Sequence, residues 1–267
     1  MSSHPNNLLD YYASVRASGL HARGQLATNH LLKLLAAKAG EVLLELGTGT
    51  GTTLVQTQVM YPQSVLHGLE VSPAMHQATE KRLKACGILS IQLHRSFQAL
   101  PEHFFDVVYC ESVLAIQEGD DLDKLVQQIK RVLKPGGRLV MNETIWLDAT
   151  SWADIRSINE QCKRSFGIIQ ANDKHPYVRD WVALMQQHGF SSQAVLKVDE
   201  LPYLATANRW RMVLLKSKSF TLVGKLKQRY VNSYRRQQSE FQNAIQQLNT
   251  PSGKTMEGVL FVFKLSA

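Results

Sequence analysis

The sequence predicts an α/β fold: a doubly wound, mostly parallel sheet of seven strands, with a helical insertion ahead of the last strand. Three observations lead there. Short β-rich apolar runs alternate with stretches of helical period, the pattern of stacked β-α-β units. One strand runs directly into Gly47-Thr48-Gly49-Thr50-Gly51 and on into a helix. About sixty residues separate the last two strand signals, Gln193 to Val198 and Gly258 to Leu265, far more than a hairpin needs.

In chain order, the first helix spans Gly24 to Lys38, with Leu26, Leu31, Leu34 and Leu35 on one face and Gly40 to end it. Val42 to Leu46 is a buried strand. After the glycine turn come a helix around Thr52 to Met60 and a second strand at Val65 to Glu70. Ser72-Pro73 is an N-cap with proline at the first helical position, opening a helix to about Ala85. Strands follow at Ser90 to His94 and Phe105 to Cys110, then a helix at Asp121 to Leu133. Pro135-Gly136-Gly137 is a turn delivering the chain into a fifth strand at Arg138 to Met141. Thr144 to Lys174 is a helical covering element, and Tyr177 to His188 a further helix. The organisation predicted is a helical cap (1–40), a sheet domain (41–200 and 254–267) and a helical lid (201–253).

The chain has 267 residues, of which 44% are hydrophobic and 19% charged, which excludes disordered, collagenous and disulfide-stapled classes. No apolar run approaches the roughly 18 residues of a membrane span, and Met-Ser-Ser-His-Pro-Asn-Asn carries no hydrophobic signal core. Cys86, Cys110 and Cys162 form no CxxC pair. These features predict a cytoplasmic protein without structural zinc; no metal-ligand spacing occurs elsewhere. The net charge of +8 is concentrated: Tyr203 to Ser239 holds nine Lys and Arg and no acid. That segment, 203–239, predicts an anion-attracting surface, for which a solvated face, peripheral contact with a membrane, an anionic ligand and nucleic acid are the open readings.

Three alternating glycines between a strand and a helix make a tight turn that brings a ligand close to the backbone. A nucleotide P-loop would need GxxxxGK[ST], which is absent, and the dinucleotide fingerprint would need glycine where Thr52 stands. Glu70 lies nineteen positions past Gly51, at the end of the second strand, where a carboxylate accepts two hydrogen bonds from a ribose diol. The pair points to a nucleoside.

Glu45-Leu46-Gly47-Thr48-Gly49-Thr50-Gly51 resembles motif I of the class I S-adenosylmethionine-dependent methyltransferases, and Leu69 to Met75 their second motif. Leu100-Pro101, Phe105 to Val108, and Val132 to Leu139 are similar to later motifs of that family's small-molecule branch, which acts on quinones, sterols and tocopherols. The resemblance covers about Leu31 to Met141. It implies a Rossmann-like methyltransferase fold and S-adenosyl-L-methionine as cofactor, with S-adenosyl-L-homocysteine as product. Gly47, Thr48, Gly49 and Gly51 would pass along the methionine half, with Glu45 toward its ammonium. Glu70 would hold the ribose hydroxyls, and Val71 and Met75 would pack near the adenine. Where the family usually carries an aspartate for the adenine amino group, this chain has Ser96, with Phe97 beside it.

The sulfonium methyl is already activated, so aligning a nucleophile and excluding water is the main catalytic task. Glu111, after the fourth strand, is the first candidate for a group bordering the sulfonium or acting as acceptor-side base. Glu143 holds the analogous place after the fifth strand, and His21, with Tyr11 and Tyr12, is a candidate to close over the cofactor. His67 and His94, within strands, are expected to be structural. The Asn/Asp-Pro-Pro-Tyr signature of amino-nucleobase methylation is missing, Cys110-Glu111-Ser112 standing in its place. The leading expectation is methyl transfer to a small hydrophobic acceptor. RNA or protein methylation, a cofactor-binding protein without transfer, and a nicotinamide enzyme are the alternatives.

Overall fold

In the computed structural model, the described residues are 8–17, 24–204, 211–246 and 253–267. They contain seven strands in one sheet of order β3-β2-β1-β4-β5-β7-β6. In chain order these are α1 (Leu8–Ser14), α2 (Gly24–Leu35), β1 (Val42–Leu46), α3 (Thr52–Met60), β2 (Val65–Leu69), α4 (Pro73–Cys86), β3 (Gln92–His94), β4 (Phe105–Glu111) and α5 (Asp121–Val132). Then follow β5 (Leu133–Trp146), α6 (Trp152–Phe166), α7 (Val178–Gln187), β6 (Phe190–Lys197), α8 (Arg211–Tyr230), α9 (Asn232–Gln246) and β7 (Met256–Leu265). Strands β1 to β5 pair in parallel. β7 inserts antiparallel between β5 and β6.

Because side chains alternate along a strand, a parallel sheet covered on both faces needs near-continuous apolar runs. On β1, Leu43 joins the layer beneath α2, with Leu31, Leu35, Val107, Tyr109 and Val140. Leu44 and Leu46 join the opposite layer with Val126, Ile129, Trp181 and Leu184 from α5 and α7. α6 closes a smaller core with Trp146, Ile158, Phe166 and Tyr177. Helix ends follow local chemistry. The Ser72 hydroxyl accepts from the Met75 N–H at 3.3 Å, and Gly87 ends α4 at φ 74°. Such a cap contributes about 1 kcal/mol.

The fifth strand differs from expectation at both ends, running on past Met141 to Trp146. Pro135-Gly136-Gly137 does not precede β5 but lies inside it. Leu133 already pairs with Phe105, the register shifts, and pairing resumes at Arg138 opposite Val107. Gly136, at φ 75°, accommodates the irregularity.

Candidate functional site

The carboxyl ends of β1, β2 and β4 converge on the glycine turn. Gly47, Gly49 and Gly51 all have positive φ, at 66°, 55° and 79°. Two of them serve neighbours within the protein. A Cβ on Gly47 would lie 2.5 Å from Val113 Cγ2, and one on Gly51 would lie 3.0 Å from Thr79 Cγ2. Only Gly49 of the three has nothing within 4 Å of the added atom, so it is where the turn lies open.

The turn's amides are largely satisfied. The Gly47 N–H donates to the Leu69 carbonyl at 2.8 Å, the Gly51 N–H to the Thr48 carbonyl at 2.8 Å, and the Gly49 N–H to Glu70 Oε2 at 2.8 Å. Thr79 donates to the Gly49 carbonyl at 2.8 Å and stands 3.1 Å from the Thr48 hydroxyl. This is a poor cradle for phosphate, which needs free N–H groups.

Carboxylates dominate instead. Glu70 is buried, held by the Gly49 and Ser72 amides at 2.8 and 2.9 Å. Burial pushes its pKa up, against those two amides. Each oxygen keeps a further lone pair for a ligand hydroxyl. Glu111 is gripped from three elements. Thr53 of α3 donates at 2.9 Å, Thr28 of α2 at 3.2 Å and Asn142 of β5 at 3.2 Å. Glu45 is buried behind them, with the Tyr109 hydroxyl 3.0 Å from its Oε2 and 2.9 Å from Thr57 Oγ1. Burial raises the Glu45 pKa well above the usual range, and the charges of Glu111 and Glu70 raise it further. Tyr109 has one proton, so whenever it donates to Thr57 the Glu45 carboxyl must carry its own to keep the other contact.

Strand parity explains the grouping. Glu45 continues the face of Leu43, Glu111 that of Val107 and Tyr109, and Asn142 that of Val140, all beneath α2 and α3. Glu143 is one residue on and therefore on the other face. It is wholly buried and accepts from the Val113, Leu114 and Ala115 amides at 3.1, 3.0 and 3.0 Å. Burial pushes its pKa up to about 7, with the three amides pulling it down. The expectation that Glu143 acts on a substrate is corrected: it fixes the loop after β4, where Ser112 sits at φ 54°. The register partner of Glu111 on β5 is Asn142, which sequence reasoning missed.

The remaining expected positions divide. Val71 is 69% exposed and open to a ligand, whereas Met75 is buried against Ala13 of α1. Thr48 is buried; Ser96 and Phe97 are half-buried at a 3-10 turn, and the Phe97 carbonyl is tied to Arg131 at 2.7 Å. His21 lies outside the described residues. Tyr11 is buried in a tilted pair with Phe241 of α9, ring centroids 5.2 Å apart. His67 and His94 stack on each other at 5.3 Å across β2 and β3.

Sequence reasoning also missed Arg82 of α4, fully buried. Its Nε donates to the Thr50 carbonyl of the glycine turn at 2.6 Å, and Nη1 to the Ser217 carbonyl and hydroxyl of α8, each at 2.9 Å. Nη2 reaches the Arg16 carbonyl at 3.3 Å. One guanidinium thus ties the turn to α8 and to the segment after α1. No group of three or more His, Cys, Asp or Glu that could hold a metal ion occurs among the described residues.

Residues 43–137 match the family model described as a methyltransferase domain. An uncharacterized methyltransferase of Bacillus subtilis (strain 168), YdaC, is 32% identical over 117 residues, covering 44% of this chain and 64% of the relative. A demethylmenaquinone methyltransferase of Tropheryma whipplei (strain Twist) is 31% identical over 111 residues, covering 42% and 45%. The chain thus spans less than two thirds of both relatives. Among solved structures, phosphoethanolamine N-methyltransferase 2 of Haemonchus contortus, in complex with S-adenosyl-L-methionine, superposes with a TM-score of 0.64 at 17% identity, covering 97% of this chain and 57% of that one. The matched segment 43–137 carries the glycine turn and the acid after β2, so this part of the chain is similar to a methyltransferase domain, set on a Rossmann-like sheet of the kind seen in that solved structure.

Proposed function

We propose that the chain transfers a methyl group from S-adenosylmethionine to a small hydrophobic acceptor. One observation carries this reading: Glu70 is bonded to a glycine turn whose Gly47, Gly49 and Gly51 amides are already taken, with Glu45 and Glu111 on the neighbouring strands β1 and β4. Such a site repels phosphate and favours a ligand bearing positive charge and hydroxyls, which the ammonium, sulfonium and ribose of S-adenosylmethionine combine. That cofactor supplies a methyl group on sulfur already activated for in-line displacement. Glu70, pre-set by two amides, accepts from the ribose diol. The open side of Gly49 takes the methionine half. Glu111, fixed by Thr28, Thr53 and Asn142, borders the reacting centre and is the base for an acceptor that must lose a proton.

A hydrophobic acceptor is the reading we take from the aromatic cluster of Tyr11, Tyr12, Phe166 and Phe241, packed on one another where α1, α6 and α9 meet. It is supported also by the relative named for demethylmenaquinone. The test is calorimetric titration with S-adenosylmethionine. Removing Glu70 as Glu70→Ala is expected to weaken binding by roughly 1.5 to 3 kcal/mol, the scale of charge-assisted hydrogen bonds. An unchanged affinity in that variant sinks the site. Tight binding without turnover on any quinone-like or prenyl acceptor would move the reading to a cofactor-binding protein.

A further inference from the structure

Helix α8 presents two different faces. Inward, Ser217, Phe220 and Gly224 are buried. Ser217 and Thr221 hold Arg82, and the Phe220 ring lies under the Arg16 and Arg82 guanidinium groups at 4.2 and 4.8 Å. A Cβ on Gly224 would sit 1.7 Å from the Val15 carbonyl oxygen, so the helix backbone rests directly on the segment after α1. These contacts fix the rotation of α8 about its axis.

Outward, Met212, Leu215, Leu222, Val223, Leu226 and Tyr230 are 42 to 72% exposed. At 3.6 residues per turn they fall within an arc of about 100°. Exposed cations border the arc on both sides, Lys218, Lys225 and Arg229 along one edge and Lys216 along the other. The helix contains no Asp or Glu. Among the described residues no helix is long and apolar enough to cross a membrane.

We propose that this face of α8 docks on an anionic lipid bilayer, with the aliphatic stripe in the headgroup boundary and the flanking cations on lipid phosphates. An exposed apolar arc flanked by Lys and Arg is what an interfacial helix requires. Nucleic acid fits worse, because the centre of the face would set Leu222, Val223 and Leu226 against a sugar-phosphate backbone. A second copy packing through α8 also fits worse, because two acid-free helices would bring like charges together. The inference stands whether or not the chain transfers a methyl group. Its geometry nonetheless links the glycine turn, through Arg82, to the buried side of the docked helix.

The experiment is co-sedimentation of the full chain with vesicles of phosphatidylcholine alone and of phosphatidylcholine with about 30% phosphatidylglycerol at roughly 0.1 M salt. Partition is expected to be at least about tenfold stronger on the anionic vesicles and to fall with added salt. The double variant Leu222→Glu, Leu226→Glu is expected to lose roughly tenfold or more of that partition while keeping the wild-type thermal transition, since both side chains are exposed. Equal, weak partition on both vesicles overturns the proposal. So does undiminished binding by the double variant, self-association that the double variant abolishes, or tighter binding to RNA than to the anionic vesicles.

Discussion

At the scale of single residues, two buried ionisable groups set constraints that the surface chemistry does not reveal. Glu143 has its pKa raised to about 7 by burial, from 4.5 in an open chain. The folded form therefore holds a proton that the unfolded chain releases between those values, so Glu143 lowers stability as pH rises through about 4.5 to 7. The full shift corresponds to at most about 3 kcal/mol. Urea titrations from pH 4 to 8 should show a shallower slope in Glu143→Gln than in the wild type, the raised pKa values of Glu45 and Glu70 leaving a remainder of the same sign. That variant should also be less stable by about 1 to 3 kcal/mol at low pH, because its amide N–H meets the Ala115 N–H. Arg82 makes a different demand, since every hydrogen-bond acceptor it reaches is a neutral carbonyl or hydroxyl. Burial lowers its pKa to about 10, which leaves it charged at neutrality. Arg82→Lys should cost about 3 kcal/mol or more in denaturant unfolding, because one ammonium cannot span Thr50, Ser217 and Arg16 together. Neither group was legible in the sequence for what it does. Arg82 lies in Glu80-Lys81-Arg82-Leu83-Lys84, which reads as a solvated helix face, and its acceptor Ser217 is 135 residues away. Glu143 looked equivalent to Glu111 only because β5 was expected to end at Met141; the strand runs on to Trp146, which puts Glu143 inside it on the face opposite Asn142. The place of Glu70 beside the glycine turn was legible, since strand end, spacing and residue type all belong to one short stretch of chain.

At the scale of elements, what could be read in advance was whatever local pattern alone decides. The strands of a parallel sheet announce themselves as apolar runs, and α4 carries its own start and stop in Ser72, Pro73 and Gly87. What could not be read is how α8 docks, because Gly224 in a helix looks only like a weak helix former. In the structure it is the point of closest approach between α8 and the Val15 backbone. A larger side chain there has no room, so Gly224→Val should lift α8 from α1 while leaving the sheet intact. Amide hydrogen exchange should then speed up in α8 and α9 and remain slow in β1, β4 and β5. Uniform acceleration across the sheet would refute this division of stability.

At the scale of the whole molecule, charge is separated: acidic groups gather at the strand ends while basic side chains gather on α8. Helix α8 and the glycine turn share one guanidinium, so neither can shift without the other feeling it. A different consequence follows from the position of β7. It occupies the slot between β5 and β6, and β6 has no other neighbour in the sheet. As the nascent chain leaves the ribosome, β5 and β6 are therefore made before the segment that joins them. Until residues 256–265 emerge, one flank of β5 and the whole of β6 are exposed pairing edges of the sort that invite misassembly and call for chaperone protection.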